Sequence, residues 1–167
     1  MEKIMIIGSC GAGKSTLSHQ LHQKTGIELI HLDQAYWKPN WIETEPDIWD
    51  NTVRELVKKE SWIIDGNYGG TMDIRLQTAD IIIFLDRSRW LCLYRVLKRI
   101  VMNYGKPRAD MNEGCNERFD WKFLIYVFHF YDIKRPQILK RLSKLPATKQ
   151  IYILKSNETV QTFLNKF

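Results

Sequence analysis

An α/β fold, with a parallel sheet covered by helices on both faces, is what this 167-residue chain predicts. Three observations carry that expectation. Short, continuously apolar runs alternate with longer amphipathic stretches, the pattern of buried parallel strands joined by helices. A glycine-rich turn separates the first run from the first helix. Several runs end in aspartate, and ligands of such sheets bind beyond the carboxyl ends of the strands.

The elements follow in order. Residues 3–7 read as a buried strand closed by Gly8, and residues 14–24 as a helix that carries Leu17 and Leu21 and stops at Gly26. Residues 27–32 form a second strand ending at Asp33. Residues 47–59 place Ile48, Trp49, Val53, Leu56 and Val57 at helical spacing, with Pro46 at the first turn. Residues 62–64 and 81–85 are the third and fourth strands, ending at Asp65-Gly66 and Asp86. Residues 90–102 are strongly helical. Residues 104–118 are polar, contain Gly105, Pro107 and Gly114, and read as a loop or flap. Two helices over 121–131 and 136–145, a fifth strand over 151–154 and a closing helix over 159–167 complete the chain. There is no internal repeat, low-complexity segment or linker, so residues 1–167 are expected to form one domain.

Composition excludes several classes. At 44% hydrophobic and 26% charged, the chain is neither disordered nor fibrous. Its apolar runs fall far short of the roughly 18 residues a membrane span needs, and its first residues lack the features of a signal peptide. Three cysteines, Cys10, Cys92 and Cys115, fit neither a disulfide framework nor a zinc cluster. A reduced, cytoplasmic protein with no membrane partner is expected. The net charge of +6 is uneven: residues 87–144 hold 14 Lys/Arg against 5 Asp/Glu, or +9, and the remainder sums to −3. A basic middle segment suits a polyanion, and both nucleic acid and nucleotide phosphates qualify; a solvated lysine-rich face accounts for it equally well.

Gly8-Ser9-Cys10-Gly11-Ala12-Gly13-Lys14-Ser15 matches the phosphate-loop pattern G-x-x-x-x-G-K-[ST], between a strand and a helix as that mechanism demands. Glycines let successive N–H groups turn inward around phosphate oxygens, and the helix N-terminus adds positive potential. Gly8, Gly11, Ala12, Gly13, Lys14, Ser15 and Thr16 are therefore candidate ATP-binding residues. Lys14 is placed to reach the β and γ phosphates, and the Ser15 hydroxyl to ligate Mg²⁺. Cys10 is either a reactive thiol or a filler where identity matters little.

Phosphoryl transfer also needs a carboxylate near the metal. Asp65, followed by Gly66, is the candidate for that role, and Asp33 the candidate to contact the acceptor, as general base. Any one of Asp33, Asp65 and Asp86 could instead be a simple cap or turn former. Three aromatics and a proline between Asp33 and Trp41 read as a stiff, non-helical loop. Trp37 and Trp41 either face a flat or ring-shaped ligand or pack the loop onto the domain. Asn67 and Tyr68 would face the same crevice. Arg95 and Arg99, four apart on one helix face, are candidates to clamp the transferring phosphoryl. Arg108, Arg118 and Arg135 are lid candidates, although some of these arginines could simply pair with neighbouring carboxylates.

Four stretches together resemble the bacterial DNA topology modulation proteins, also described as adenylate-kinase-like P-loop ATPases. They are the loop Gly8 to Ser15; His31-Leu32-Asp33 through Trp37-Lys38-Pro39-Asn40-Trp41; Trp62-Ile63-Ile64-Asp65-Gly66-Asn67-Tyr68; and Trp90-Leu91-Cys92-Leu93-Tyr94-Arg95-Val96-Leu97-Lys98-Arg99. The resemblance spans nearly the whole chain. It implies the nucleoside-monophosphate-kinase-like form of the P-loop NTPase fold: five parallel strands, an acceptor region about 34–60 and a small lid about 104–119. Adenylate kinases end the third strand in Asp-Gly-Phe-Pro-Arg, where this chain has Asp65-Gly66-Asn67-Tyr68-Gly69. The aspartate carries over as the metal-side carboxylate, and the Pro-Arg pair is absent. Asp33 resembles the strand-end carboxylate of shikimate and gluconate kinases.

The expectation is an ATP- and Mg²⁺-dependent kinase of a small molecule or nucleotide, with Lys14, Asp33, Arg95 and Arg99 catalytic. The alternative is a regulatory ATPase of the topology modulation type that hydrolyses slowly and acts through a protein or DNA partner. Asp33 and the aromatic loop favour the kinase. No helix-turn-helix or zinc module is visible, so any nucleic-acid binding should be weak and nonspecific.

Overall fold

The structure, a computed structural model, describes residues 2–106 and 110–167. Its central element is a five-stranded parallel sheet in the order β2-β5-β1-β6-β7, formed by β1 (Lys3–Gly8), β2 (Leu29–His31), β5 (Trp62–Asp65), β6 (Ile81–Leu85) and β7 (Gln150–Leu154). The chain leaves β1 toward β2 and β5 on one side, then crosses to β6 and β7 on the other. The crevice beyond the carboxyl end of β1 is therefore the topological switch point, where ligands of such sheets bind. A two-stranded antiparallel ribbon, β3 (Trp37–Lys38) with β4 (Ile42–Glu43), stands apart from the sheet.

Alternation along β1 sorts the core into two layers. Ile4 and Ile6 face α1 (Lys14–Thr25), α5 (Arg89–Asn103) and α7 (Asn157–Leu164), packing with Leu17, Leu21, Val96 and Phe163. Met5 and Ile7 face the opposite layer, where α3 (Pro46–Lys58) and α4 (Met72–Thr78) contribute Val53 and Leu76. The long helix α6 (Trp121–Leu142) serves both layers, with Leu124 and Val127 in the first and Phe130, Ile138 and Leu142 in the second. Side chains capable of capping start three helices. Ser88 accepts from Leu91 N, Asp120 from Lys122 N and Phe123 N, and Ser156 forms a reciprocal capping box with Thr159.

The structure corrects four expectations. The second strand is only three residues long, because its pairing with β5 runs from Leu29↔Ile63 to His31↔Asp65 and then stops. Asp33 consequently lies on a short helix, α2 (Leu32–Tyr36), and the stretch to Trp41 is this helix, the β3 strand and a 3₁₀ turn (Pro39–Trp41), not a non-helical loop. α4 was not anticipated; it is seven residues long, too short for a clear helical period. The two helices expected over 121–145 are one, and Pro136 lies inside it. The turn that precedes the proline is anchored twice, by Asp132 to Arg89 and by Arg135 to Asp86.

Candidate active site

The glycine loop joins β1 to α1 and lies against the helix that follows β6. Gly11 has φ +79°, and a Cβ there would lie 2.5 Å from the Cys92 carbonyl oxygen, so only glycine lets α5 approach so closely. Gly13 caps α1 in the left-handed conformation. Lys14 folds back and donates from Nζ to the carbonyl oxygens of Gly8 (2.9 Å) and Ser9 (3.0 Å). The Asn67 side chain brackets Gly8, accepting from its N–H (3.0 Å) and donating to its carbonyl (2.8 Å). Asn67 thereby fixes the base of the loop and does not line the cleft.

Asp65, at the end of β5, is buried. Its Oδ1 meets His31 Nδ1 at 2.9 Å, and its Oδ2 accepts from Ser18 Oγ at 3.0 Å. Burial lowers the His31 pKa, but the hydrogen bond and charge of Asp65, with Asp110 and Asp33 beyond, raise it on balance above its usual value. Ser15 Oγ donates to Asp110 Oδ2 at 2.7 Å.

Beside Asp33, Tyr68 Oη donates to Asp33 Oδ1 at 2.6 Å, and burial together with the Asp33 charge pushes the phenol pKa far up, so it stays a donor. Tyr68 does not line the cleft; it holds Asp33, which does. Behind it, the fully buried Arg75 guanidinium donates to the carbonyls of Gly66 (2.8 Å), Asn67 and Tyr68 (3.1 Å). Burial pushes the Arg75 pKa down to about 9. Gly66 has φ +132°, and a Cβ there would meet the Leu32 side chain at 2.9 Å, which locks this turn against α2.

Trp37 and Trp41 meet edge to face, 5.4 Å between centroids, and both line the cleft. The segment from Asp110 to Arg118 lies across this hairpin. Asn112 Nδ2 donates to the carbonyls of Gln34 (2.7 Å) and Trp37 (2.8 Å), Asn40 N to Gly114 O (3.1 Å), and Trp41 Nε1 to Asn116 O (3.2 Å). The Arg118 guanidinium sits 5.6 Å from the Trp41 ring. Arg95 reaches the loop at the Gly11 carbonyl (3.4 Å), and Arg99 pairs with Glu117 at 2.9 Å.

These groups surround one cleft of about 980 Å³. One end lies against α7, with Asn157, Val160 and Gln161; the middle is the glycine loop with Lys14, Arg95 and Arg99; the far end holds Asp33, Trp37 and Trp41. Of the described site residues expected beyond the glycine loop, three do not line the cleft. Asn67 and Tyr68 are supports behind the wall. Arg135 lies on α6, bound to Asp86 at 2.7 and 2.9 Å, away from the cleft. Arg108 lies outside the described residues. Sequence reasoning missed His31, Ser18, Arg75 and Asp110. Of these His31 had a signal, since it directly precedes the Leu32-Asp33 pair at a strand end.

The donor set fits Mg²⁺. A hydroxyl (Ser15) and carboxylates (Asp65, Asp110) are hard oxygen ligands. Among the described residues no group of three or more His, Cys, Asp or Glu could hold a metal alone. Mg²⁺ needs less, because one or two carboxylates suffice when phosphates and water complete its shell.

No protein-family profile and no curated protein matches the chain. Solved structures do. A shikimate kinase from Acinetobacter baumannii in complex with shikimate superposes with a TM-score of 0.63 at 16% identity, covering 99% of this chain and 90% of that one. A protein from Chloroflexus aurantiacus described as a kinase gives 0.54 at 16% identity, covering 99% and 97%. A sugar kinase from Janibacter sp. gives 0.54 at 14%, covering 99% and 91%. The fold is thus the α/β P-loop fold shared with these kinases. The likeness to DNA topology modulation proteins rests on the sequence motifs alone.

Proposed function

We propose that the protein is an ATP-dependent kinase that transfers the γ-phosphoryl group to a hydroxyl of a small, ring-shaped or polyhydroxylated molecule bound beside Asp33. The observation that carries the reading is one cleft lined both by the phosphate loop and by a tyrosine-held carboxylate, Asp33, with Trp37 and Trp41. The kinase neighbours, one bound to shikimate, support it.

In this reading the backbone N–H groups of Gly11 to Ser15, with Thr16, cradle the phosphates. Lys14 exchanges its two carbonyl partners for phosphate oxygens, the charge-assisted and stronger bond. Ser15 and, through water, Asp65 would hold Mg²⁺, which when bound neutralises the β and γ phosphate charge. His31 and Ser18 fix the Asp65 carboxylate. Arg95 and Arg99 flank the phosphoryl group in transit and stabilise its charge. Asp33, oriented by Tyr68, accepts the proton of the attacking hydroxyl.

The test is a radiolabelled transfer screen over sugars, cyclitols and hydroxy acids, with Asp33→Asn as control. The reading predicts an acceptor whose phosphorylation falls by roughly 10² to 10⁴ in the variant, the range of lost general-base catalysis. ATP affinity should stay near the parent level. Slow hydrolysis as the only activity, equal in parent and variant, would refute transfer and leave a regulatory ATPase.

A further inference from the structure

We propose that Asp110, carried on the segment that crosses the cleft, is a positioning carboxylate for the nucleotide-bound divalent cation, and so couples closure of that segment to metal binding. The inference rests on the kinase reading above.

The argument starts from Asp65. Both of its oxygens are engaged, Oδ1 with His31 at 2.9 Å and Oδ2 with Ser18 at 3.0 Å, and the residue is only 5% exposed. The strand-end carboxylate thus has both oxygens already held by protein groups, His31 and Ser18. The hydroxyl that would ligate the cation, Ser15 Oγ, faces a different carboxylate: Asp110 Oδ2 lies 2.7 Å from it, 95 residues away in sequence. A cation held by Ser15 Oγ would have the Asp110 oxygens within reach, directly or through one bound water. Asp110 lines the cleft.

Position gives this carboxylate a second property. Asp110 belongs to the same short segment as Asn112, Gly114 and Asn116, which are hydrogen-bonded to Gln34, Trp37, Asn40 and Trp41 in the acceptor hairpin. The hairpin thus carries the segment, and the segment carries a carboxylate to the phosphate loop. Acceptor hairpin and metal side of the nucleotide site close as one body. A cation bound at Ser15 favours the closed position because only there does Asp110 reach its shell.

The test is Mn²⁺ titration, followed by electron paramagnetic resonance, of the full chain saturated with ADP, for the parent, Asp110→Asn and Asp110→Glu. ADP affinity without metal is measured in parallel by calorimetry. The expected result is a loss of Mn²⁺ affinity of about tenfold or more in Asp110→Asn, the range for groups that orient metal ligands. Asp110→Glu should recover part of it, and metal-free ADP affinity should be unchanged or higher, since a negative charge has left the phosphate site. Unchanged or tighter Mn²⁺ binding in Asp110→Asn would overturn the proposal and make Asp110 a latch that the metal displaces. Failure of the parent to bind ADP under either condition would overturn the kinase reading itself, and this assignment with it.

Discussion

Asp65 and His31 show how much of this site is decided by neighbours rather than by the motif. A strand-end aspartate is visible in the sequence; the histidine that pairs with it stands 34 residues earlier and is brought alongside only because β2 and β5 are neighbours, His31 opposite Asp65. Because the folded-state pKa of His31 is raised, the pair stabilises the fold below the unfolded histidine value of about 6.5 and loses that contribution as pH rises through the folded value. Urea unfolding of the parent and His31→Gln should therefore show a stability gap that is largest near pH 6 and narrows toward pH 8.5. A gap that widens with pH would mean the ring is neutral in the pair. Arg75 is a second case. Its guanidinium is fully buried, meets no carboxylate among the described residues, and holds three successive carbonyls of the turn that carries Asn67 and Tyr68. Hydrogen bonds from a charged donor contribute about 1.5–3 kcal/mol each, and a buried carbonyl left without a partner costs about 1–3 kcal/mol. Arg75→Met should lower unfolding free energy by about 3 kcal/mol or more. It should also weaken acceptor phosphorylation, because Tyr68 would no longer be held toward Asp33. A change below about 0.5 kcal/mol in denaturant unfolding would contradict that role.

The elements were legible where hydrophobic period and glycine punctuation agree. β1, β6, α1, α3 and α5 lie within a residue or two of their sequence-based limits, since each is a continuous apolar run or a clear helical stripe. Four other stretches were less legible for physical reasons. α2 and α4 are five and seven residues long, under two turns or barely two, so no period can establish itself. The ribbon of β3 and β4 has two residues per strand, and positive φ at Asn40 and Trp41 turns it, a conformation that Trp does not announce. α6 was read as two helices because proline ends most helices; here tertiary anchors at Asp132 and Arg135 override the local rule. The Asp120 cap at the start of α6 belongs to this scale. Asp120→Ala should cost about 1 kcal/mol, as N-cap losses do, read as a fall in urea midpoint with unchanged slope. No change in midpoint would mean that packing alone holds the helix start.

Across the whole molecule, the basic segment is divided: its described arginines are mostly buried or half-buried, and its lysines are exposed. Arg89, Arg99, Arg135 and Arg141 are paired with Asp132, Glu117, Asp86 and Asp73, and Arg87 holds the Lys155 carbonyl and Asn157. Arg87, Arg95, Arg99 and Arg118 line the cleft, where phosphates would bind in the kinase reading, and the exposed lysines form a solvated basic face suited to nonspecific phosphate contacts. Fluorescence anisotropy should accordingly show weak duplex DNA binding that falls steeply between about 50 and 200 mM salt and does not discriminate sequences. Strong preference for one duplex at physiological salt would argue for the regulatory reading. The central claim, that the cleft at the switch point of the sheet is a nucleotide site built on the glycine loop, is tested most directly by titrating ATP with Mg²⁺ into the parent and Lys14→Ala in a calorimeter. Lys14 lies at the end of the loop, outside the hydrophobic layers, so the variant should stay folded, losing only the stability of its two loop hydrogen bonds, while its ATP affinity falls by tenfold or more. Equal ATP affinity in parent and variant, with both folded, would contradict the account.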